Sequence, residues 1–171
     1  LIATSMDGTA TIWDPESDEL RLTLRGHRGP VRCAAFLLKG NLLATSGDDR
    51  AIRVWDPSTG KQKMALLQTH RAPVTCLAGQ PEGQTLVSGS QDTDLTLWDM
   101  TPRSDPNRFS GHAKQVFALA ISPDGNTLAT GGEDTTVKLW DMAIGIELVA
   151  LHGHTGRVRR LAFSPDGAML A

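Results

Sequence analysis

The sequence is poor in cysteine, with only Cys33 and Cys76 among 171 residues. They form no Cys-x-x-Cys pair from which to build a zinc or redox centre. They lie in matching contexts, Val31-Arg32-Cys33 and Val74-Thr75-Cys76, and read as small, reduced core residues, which favours a cytoplasmic location. Long apolar runs are missing too. The stretch Ile144 to Leu151 is broken by polar residues and falls far short of the roughly 20 residues a membrane span needs, so no membrane partner is expected. Nor does one sign of charge dominate. The 17 basic and 19 acidic residues leave a formal charge of −2, and no nucleic-acid partner is expected. Leu1-Ile2-Ala3 carries no initiator Met, basic leader or apolar h-region, so no secretory signal is recognisable and the chain reads as part of a longer one.

What the sequence does hold is a turn-rich composition, 17 Gly and 9 Pro with 21% charged residues, suited to a globular fold with a substantial core. It also holds a repeat. Every tryptophan is followed by aspartate, at Trp13-Asp14, Trp55-Asp56, Trp98-Asp99 and Trp140-Asp141, with spacings of 42, 43 and 42 residues. Histidines keep the same beat at His27, His70, His112 and His154, preceded by Gly26, Thr69, Gly111 and Gly153. Trp55, Trp98 and Trp140 each lie 28 residues beyond the preceding histidine of that set. An offset that never varies implies a fixed three-dimensional unit.

Within the unit, short apolar runs such as Val116 to Ile121, Thr127 to Thr130 and Thr136 to Trp140 alternate with turn residues, which predicts four short strands per repeat. Pro123-Asp124-Gly125 and Pro165-Asp166-Gly167 are tight turns, proline presetting φ and glycine supplying its positive value, while Lys39-Gly40 and Glu82-Gly83 keep only the glycine. The first strand starts at Val31, Val74, Val116 and Val158, the third ends at the tryptophan, and a weaker fourth follows. A period near 42 residues with Gly-His and Trp-Asp markers belongs to four-stranded propeller blades. Over essentially its whole length the sequence resembles the WD-repeat β-propeller family. The expected fold is all-β, a partial propeller forming one incomplete domain over 1–171. It comprises a partial blade at about 1–24, three complete four-stranded blades at 31–67, 74–109 and 116–151, and a partial blade at 158–171 whose Val158 to Phe163 forms an inner strand.

The resemblance also assigns roles. In such repeats a His before the first strand, a Ser or Thr in the second, an Asp in the next turn and the Trp of the third form one hydrogen-bonded tetrad. The matching sets are His27, Thr45, Asp49 and Trp55; His70, Ser88, Asp92 and Trp98; and His112, Thr130, Asp134 and Trp140. The leading repeat matches at Asp7 and Trp13. Its hydroxyl position holds Ala3, so either Thr4 substitutes or that hydroxyl is lacking, and the partners of His154 fall beyond Ala171. The arrangement has a physical basis, since a buried indole N–H, imidazole and carboxylate each need partners and such a chain satisfies them together.

Hydroxyl, His and Asp also make up a hydrolase triad, but an active site needs one privileged copy, and interchangeable copies in a repeat frame are structural. No enzyme is expected. His152-Gly153-His154 has no further ligand cluster, Gly131-Gly132 opens no helix, and Asp92-Thr93-Asp94 lacks the remaining calcium-loop ligands, so neither cofactor nor metal is expected.

Function then lies in a surface. The family resemblance points to the face carrying the loop after each His and the residue before each tetrad Asp. Arg28, Arg71, Lys114 and Arg157 put one cation per repeat there, with Met6, Asp48, Gln91 and Glu133 in the turns. Such a ring favours protein or peptide partners that are acidic or phosphorylated, against the general rule that exposed loop charges are solvated and serve only solubility. The expected function is a non-enzymatic protein-interaction scaffold or adaptor. The alternative is a regulatory or sensor propeller of a larger multidomain signalling protein, with a kinase or nucleotidase domain outside this chain. By itself the chain is expected to self-associate through uncovered blade faces.

Overall fold

A computed structural model describes residues 2–4, 6–67, 70–80, 82–100 and 107–171, the first three by backbone alone. Leu1 and Ser5 of the leading repeat, the side chain of Thr4, and Thr69 before His70 lie outside the described residues.

The strands follow the repeat. A three-stranded sheet contains β1 (Ile2–Thr4), β2 (Thr9–Trp13) and β3 (Leu20–Arg25). Three four-stranded sheets come next. The first is β4 (Val31–Leu37), β5 (Leu42–Gly47), β6 (Ile52–Trp55) and β7 (Gln62–Leu66). The second is β8 (Val74–Gly79), β9 (Thr85–Ser90), β10 (Asp94–Asp99) and β11 (Asn107–Ser110). The third is β12 (Val116–Ile121), β13 (Thr127–Gly132), β14 (Val137–Asp141) and β15 (Glu147–Leu151). Every sheet is an antiparallel meander whose strands pair in sequence order. The fold is therefore a partial β-propeller. Among the described residues no helix is long and apolar enough to cross a membrane.

Apolar side chains fill the interfaces between successive sheets. Leu24 of β3 packs with Val31, Leu43 and Trp55 of the next sheet. Leu66 meets Leu86 and Trp98, and Phe109 meets Val116, Leu128 and Trp140. Phe109 and Trp140 stack with ring centroids 6.0 Å apart. These outer-strand residues are equivalent, each lying opposite the first apolar residue of the third strand: Leu24 opposite Ala10, Leu66 opposite Ile52, Phe109 opposite Leu95. The fourth member, Leu151 opposite Val137, is 45% exposed, against 2% for Leu24 and 5% for Phe109.

Each inner strand breaks register once, between Val31 and Cys33, Val74 and Cys76, and Val116 and Ala118. The extra residue, Arg32, Thr75 or Phe117, is a β-bulge, a device that re-aims a side chain.

Residues 158–171 depart from expectation. No strand runs over Val158 to Phe163; the segment is held by one bridge, Phe163 with Leu170, and by backbone bonds of Ala162 with Ala171 and Ser164 with Met169. A ladder needs a partner along its length, and here pairing reaches only those residues, while Val158 docks on the preceding sheet through Gly132.

Candidate functional site

Three sets of side chains meet in the same way. In the first, the Trp55 indole donates to Thr45 Oγ1 at 2.8 Å, Thr45 Oγ1 lies 2.8 Å from His27 Nε2, and His27 Nδ1 lies 2.9 Å from Asp49. In the second, Trp98 donates to Ser88 Oγ at 3.0 Å, which is 2.8 Å from His70 Nε2, with His70 Nδ1 3.1 Å from Asp92. In the third, Trp140 donates to Thr130 at 2.9 Å, Thr130 lies 2.7 Å from His112 Nε2, and His112 Nδ1 lies 2.8 Å from Asp134. Each carboxylate also accepts the backbone N–H of the residue after the histidine, Arg28, Arg71 or Ala113.

The partners dictate the protons. The indole can only donate, so the hydroxyl accepts from it, and the carboxylate can only accept, so Nδ1 carries the proton that faces it. Burial pushes His70 and His112 below the ordinary histidine value, although Asp92 and Asp134 pull the other way. Arg108 near His70 and Lys138 near His112 add to the depression. Burial would raise Asp49, Asp92 and Asp134, but bonds from histidine and backbone N–H groups hold all three below the usual carboxylate range.

Both shifts have the same consequence on acidification. A group with a depressed folded pKa binds more protons when unfolded, so its stabilisation is complete above the unfolded value and fades below it. The urea midpoint is expected to fall in two stages, His70 and His112 contributing below about pH 6.5 and the carboxylates below about pH 3.9. A midpoint that holds level or rises from pH 7 to pH 5 would show that the folded histidines are protonated.

The residue after each of these aspartates, and after Asp7 of the leading repeat, is left-handed: Arg50 at φ 60°, Thr93 at 75°, Thr135 at 67° and Gly8 at 83°. For a β-branched threonine that conformation is strained, and the carboxylate holds it by accepting the next backbone N–H, from Asp94 or Thr136. In the leading repeat Asp7 keeps this turn with Thr9, and Trp13 donates to Thr11 at 3.0 Å. His154 is exposed beside Leu151, Leu161 and Leu170. The aspartate of the Trp-Asp pair stands apart from the tetrads. Asp14, Asp56 and Asp141 accept backbone N–H groups two residues on, from Glu16, Ser58 and Ala143, as turn formers.

The expected ring of loop cations is divided. All four are exposed, but Arg157 also pairs with Glu133 at 2.6 Å and lies 5.8 Å from the Phe117 ring. Asp48 engages Arg32 of its own sheet. Met6 and Gln91 line a cavity of about 580 Å³ together with Arg32, Phe117, Arg159 and Arg160. Arg32, Arg159 and Arg160 also line an adjoining cavity with the free thiols Cys33 and Cys76, both raised by burial, Cys33 to about 12. Arg32, Thr75, Phe117, Arg159 and Arg160 were not legible as site residues from motif spacing; Arg32, Thr75 and Phe117 stand just after the valine that opens each inner strand, and Arg159 and Arg160 follow Val158. Among the described residues no cluster of His, Cys, Asp and Glu is arranged to hold a metal ion.

Residues 18–56, 61–99, 104–141 and 145–171 match the family model of the WD domain, G-beta repeat. Apoptotic protease-activating factor 1 of Rattus norvegicus is 48% identical over 59 residues, covering 34% of this chain and 5% of that protein. NACHT domain- and WD repeat-containing protein 1 of Mus musculus is 28% identical over 67 residues, 39% of this chain and 4% of that protein. F-box-like/WD repeat-containing protein TBL1X of Homo sapiens is 41% identical over 64 residues, 37% of this chain and 11% of that protein. The matches thus span a small part of each relative's length.

Proposed function

The chain belongs to the WD-repeat family, and from that premise we propose that residues 1–171 form one incomplete propeller domain acting as a non-enzymatic scaffold or adaptor for other proteins. One observation carries this reading. The residue types that resemble catalytic groups are engaged with one another three times over, so no copy is privileged, while the loops and cavity wall between them differ in every repeat. Arg28, Arg71 and Lys114 at the mouth favour an acidic or phosphorylated partner.

The relatives' names join WD repeats to other modules, NACHT and F-box-like. They favour a second reading, compatible with the first, in which this is the regulatory propeller of a larger multidomain signalling protein. The two free cysteines suit a cytoplasmic setting. Exposed Ile144, Ile146, Leu148 and Leu151 support self-association of the chain by itself.

Photo-crosslinkers placed beside Arg71 are expected to capture partner proteins, and Arg28→Glu with Arg71→Glu is expected to cut that capture about tenfold, a change of roughly 1.4 kcal/mol. Capture confined to crosslinkers on the outer turn at Lys61, or unaffected by the double reversal, would sink the assignment of the mouth.

A further inference from the structure

We propose that the outer edge of β15 is a docking site that takes an extended segment of a partner protein as an added strand, the segment carrying alternate apolar residues and a lysine or arginine that pairs with Asp141. The surface is separate from the mouth. In its sheet β12 faces the cavity there, through Phe117, and β15 stands at the far end.

Each sheet ends on an outer strand that is paired on one side only. Such an edge offers backbone donors and acceptors to another chain, and proteins guard it with charged side chains. The first two sheets carry that guard. Opposite Trp13, Trp55 and Trp140 the register slips by one residue, and the extra residue of the outer strand is Arg21, Lys63 or Leu148. Two and four residues before it stand Glu19 and Ser17, Lys61 and Thr59, or Ile146 and Ile144. The three places are polar in the first two sheets and all apolar in the third, where each side chain is more than half exposed. Their counterparts in the first two sheets are exposed as well, although a further sheet packs beside each of those, so these places face solvent in a covered blade too.

Charge fixes one feature of the occupant. Arg21 pairs with Asp14, and Lys63 pairs with Asp56 at 3.4 Å. Asp141 is the next aspartate of that set, and Leu148 stands in the place of its cation. The bonds that Asp141 accepts, from the N–H groups of Ala143 and Ile144, both end on Oδ1, and no cation among the described residues pairs with it. Glu147 beside it is already answered by Lys138 at 2.7 Å. A cation on the incoming segment completes the pair that the other rims make internally. Its apolar side chains cover Ile144, Ile146 and Leu148 while its backbone continues the ladder. A second copy meeting this edge through its own β15 brings further carboxylates in place of a cation, and is the poorer occupant.

The test immobilises the chain at low density and passes over it three peptide libraries of the form Z-X-U-X-U-X-Z, with valine, isoleucine or leucine at U, threonine or serine at X, and lysine, serine or glutamate at Z. Lysine peptides are expected to be retained about threefold more strongly than serine peptides, and glutamate peptides to pass through. Amide exchange over 147–151 should slow while a lysine peptide is bound, as strand addition requires. Ile146→Lys with Leu148→Lys, which copies Lys61 and Lys63 of the second sheet, should abolish retention with an unchanged urea midpoint. Asp141→Asn should keep the peptides on the chain and erase the preference for lysine. Arg28→Glu with Arg71→Glu should leave retention as it is, which separates this site from the mouth. Equal retention of lysine and glutamate peptides, retention that survives the lysine pair or is lost with the mouth reversals, or passage of all three libraries overturns the proposal. Should all three pass while the lysine pair turns an oligomer into an 18.3 kDa monomer, the rim is instead a contact between copies of the chain.

Discussion

Replacing Asp134 by alanine is expected to lower the folding free energy by about 3–5 kcal/mol, whereas Asp141→Ala should cost about 1 kcal/mol or less. The two aspartates differ by their surroundings. Asp134 accepts from His112 Nδ1, from the Ala113 N–H and from both the N–H and hydroxyl of Thr136. Its loss orphans a buried imidazole donor and a backbone donor, at about 1–3 kcal/mol each, and releases the left-handed Thr135 from the turn that holds it. Asp141 accepts from the N–H groups of Ala143 and Ile144 in an exposed turn, where water can replace it. Urea unfolding at pH 7.5 compares the two. Equal losses would mean that the tetrad adds nothing beyond an ordinary turn.

The second large effect lies between sheets. Phe109→Ala should cost about 3–5 kcal/mol, because it removes a buried ring stacked on Trp140 and leaves a cavity against Leu128 and Val116. Leu151→Ala, at the equivalent register position, should cost less than about 0.5 kcal/mol in a dilute chain, since Leu151 is 45% exposed. Leu151 with Val137, Leu161 and Leu170 lines an open apolar groove at the place where the three preceding sheets receive a tryptophan. Leu151→Lys is accordingly expected to shift the sedimentation profile of the chain toward an 18.3 kDa monomer. A wild-type chain that already sediments as that monomer, or a Leu151→Ala cost matching that of Phe109→Ala, would show that the groove is covered from within.

Much of this architecture was legible in the sequence because it is set by short-range pattern. The constant interval from histidine to tryptophan reflects a meander in which each strand pairs with its neighbour, so the sheets could be read from spacing alone. Three features were not legible. The inner strand expected over Val158 to Phe163 is absent because strand pairing depends on a partner, not on the apolar run itself. The cations of the loops looked alike, yet Arg157, although exposed, is paired with Glu133, a contact between repeats that no motif spacing reveals. The left-handed threonines, Thr93 and Thr135, stand where the leading repeat has Gly8, and only the carboxylate beside them makes the substitution tolerable.

The bulge in each inner strand has a consequence for how such a protein changes over time. A bulged residue sits outside the ladder, so its side chain can be exchanged without disturbing strand register or the tetrad. Arg32, Thr75 and Phe117 differ in size, polarity and charge while their sheets remain alike. Each of the three four-stranded sheets therefore carries one editable letter facing a common space, and recognition can be rewritten one position at a time while strand register stays the same.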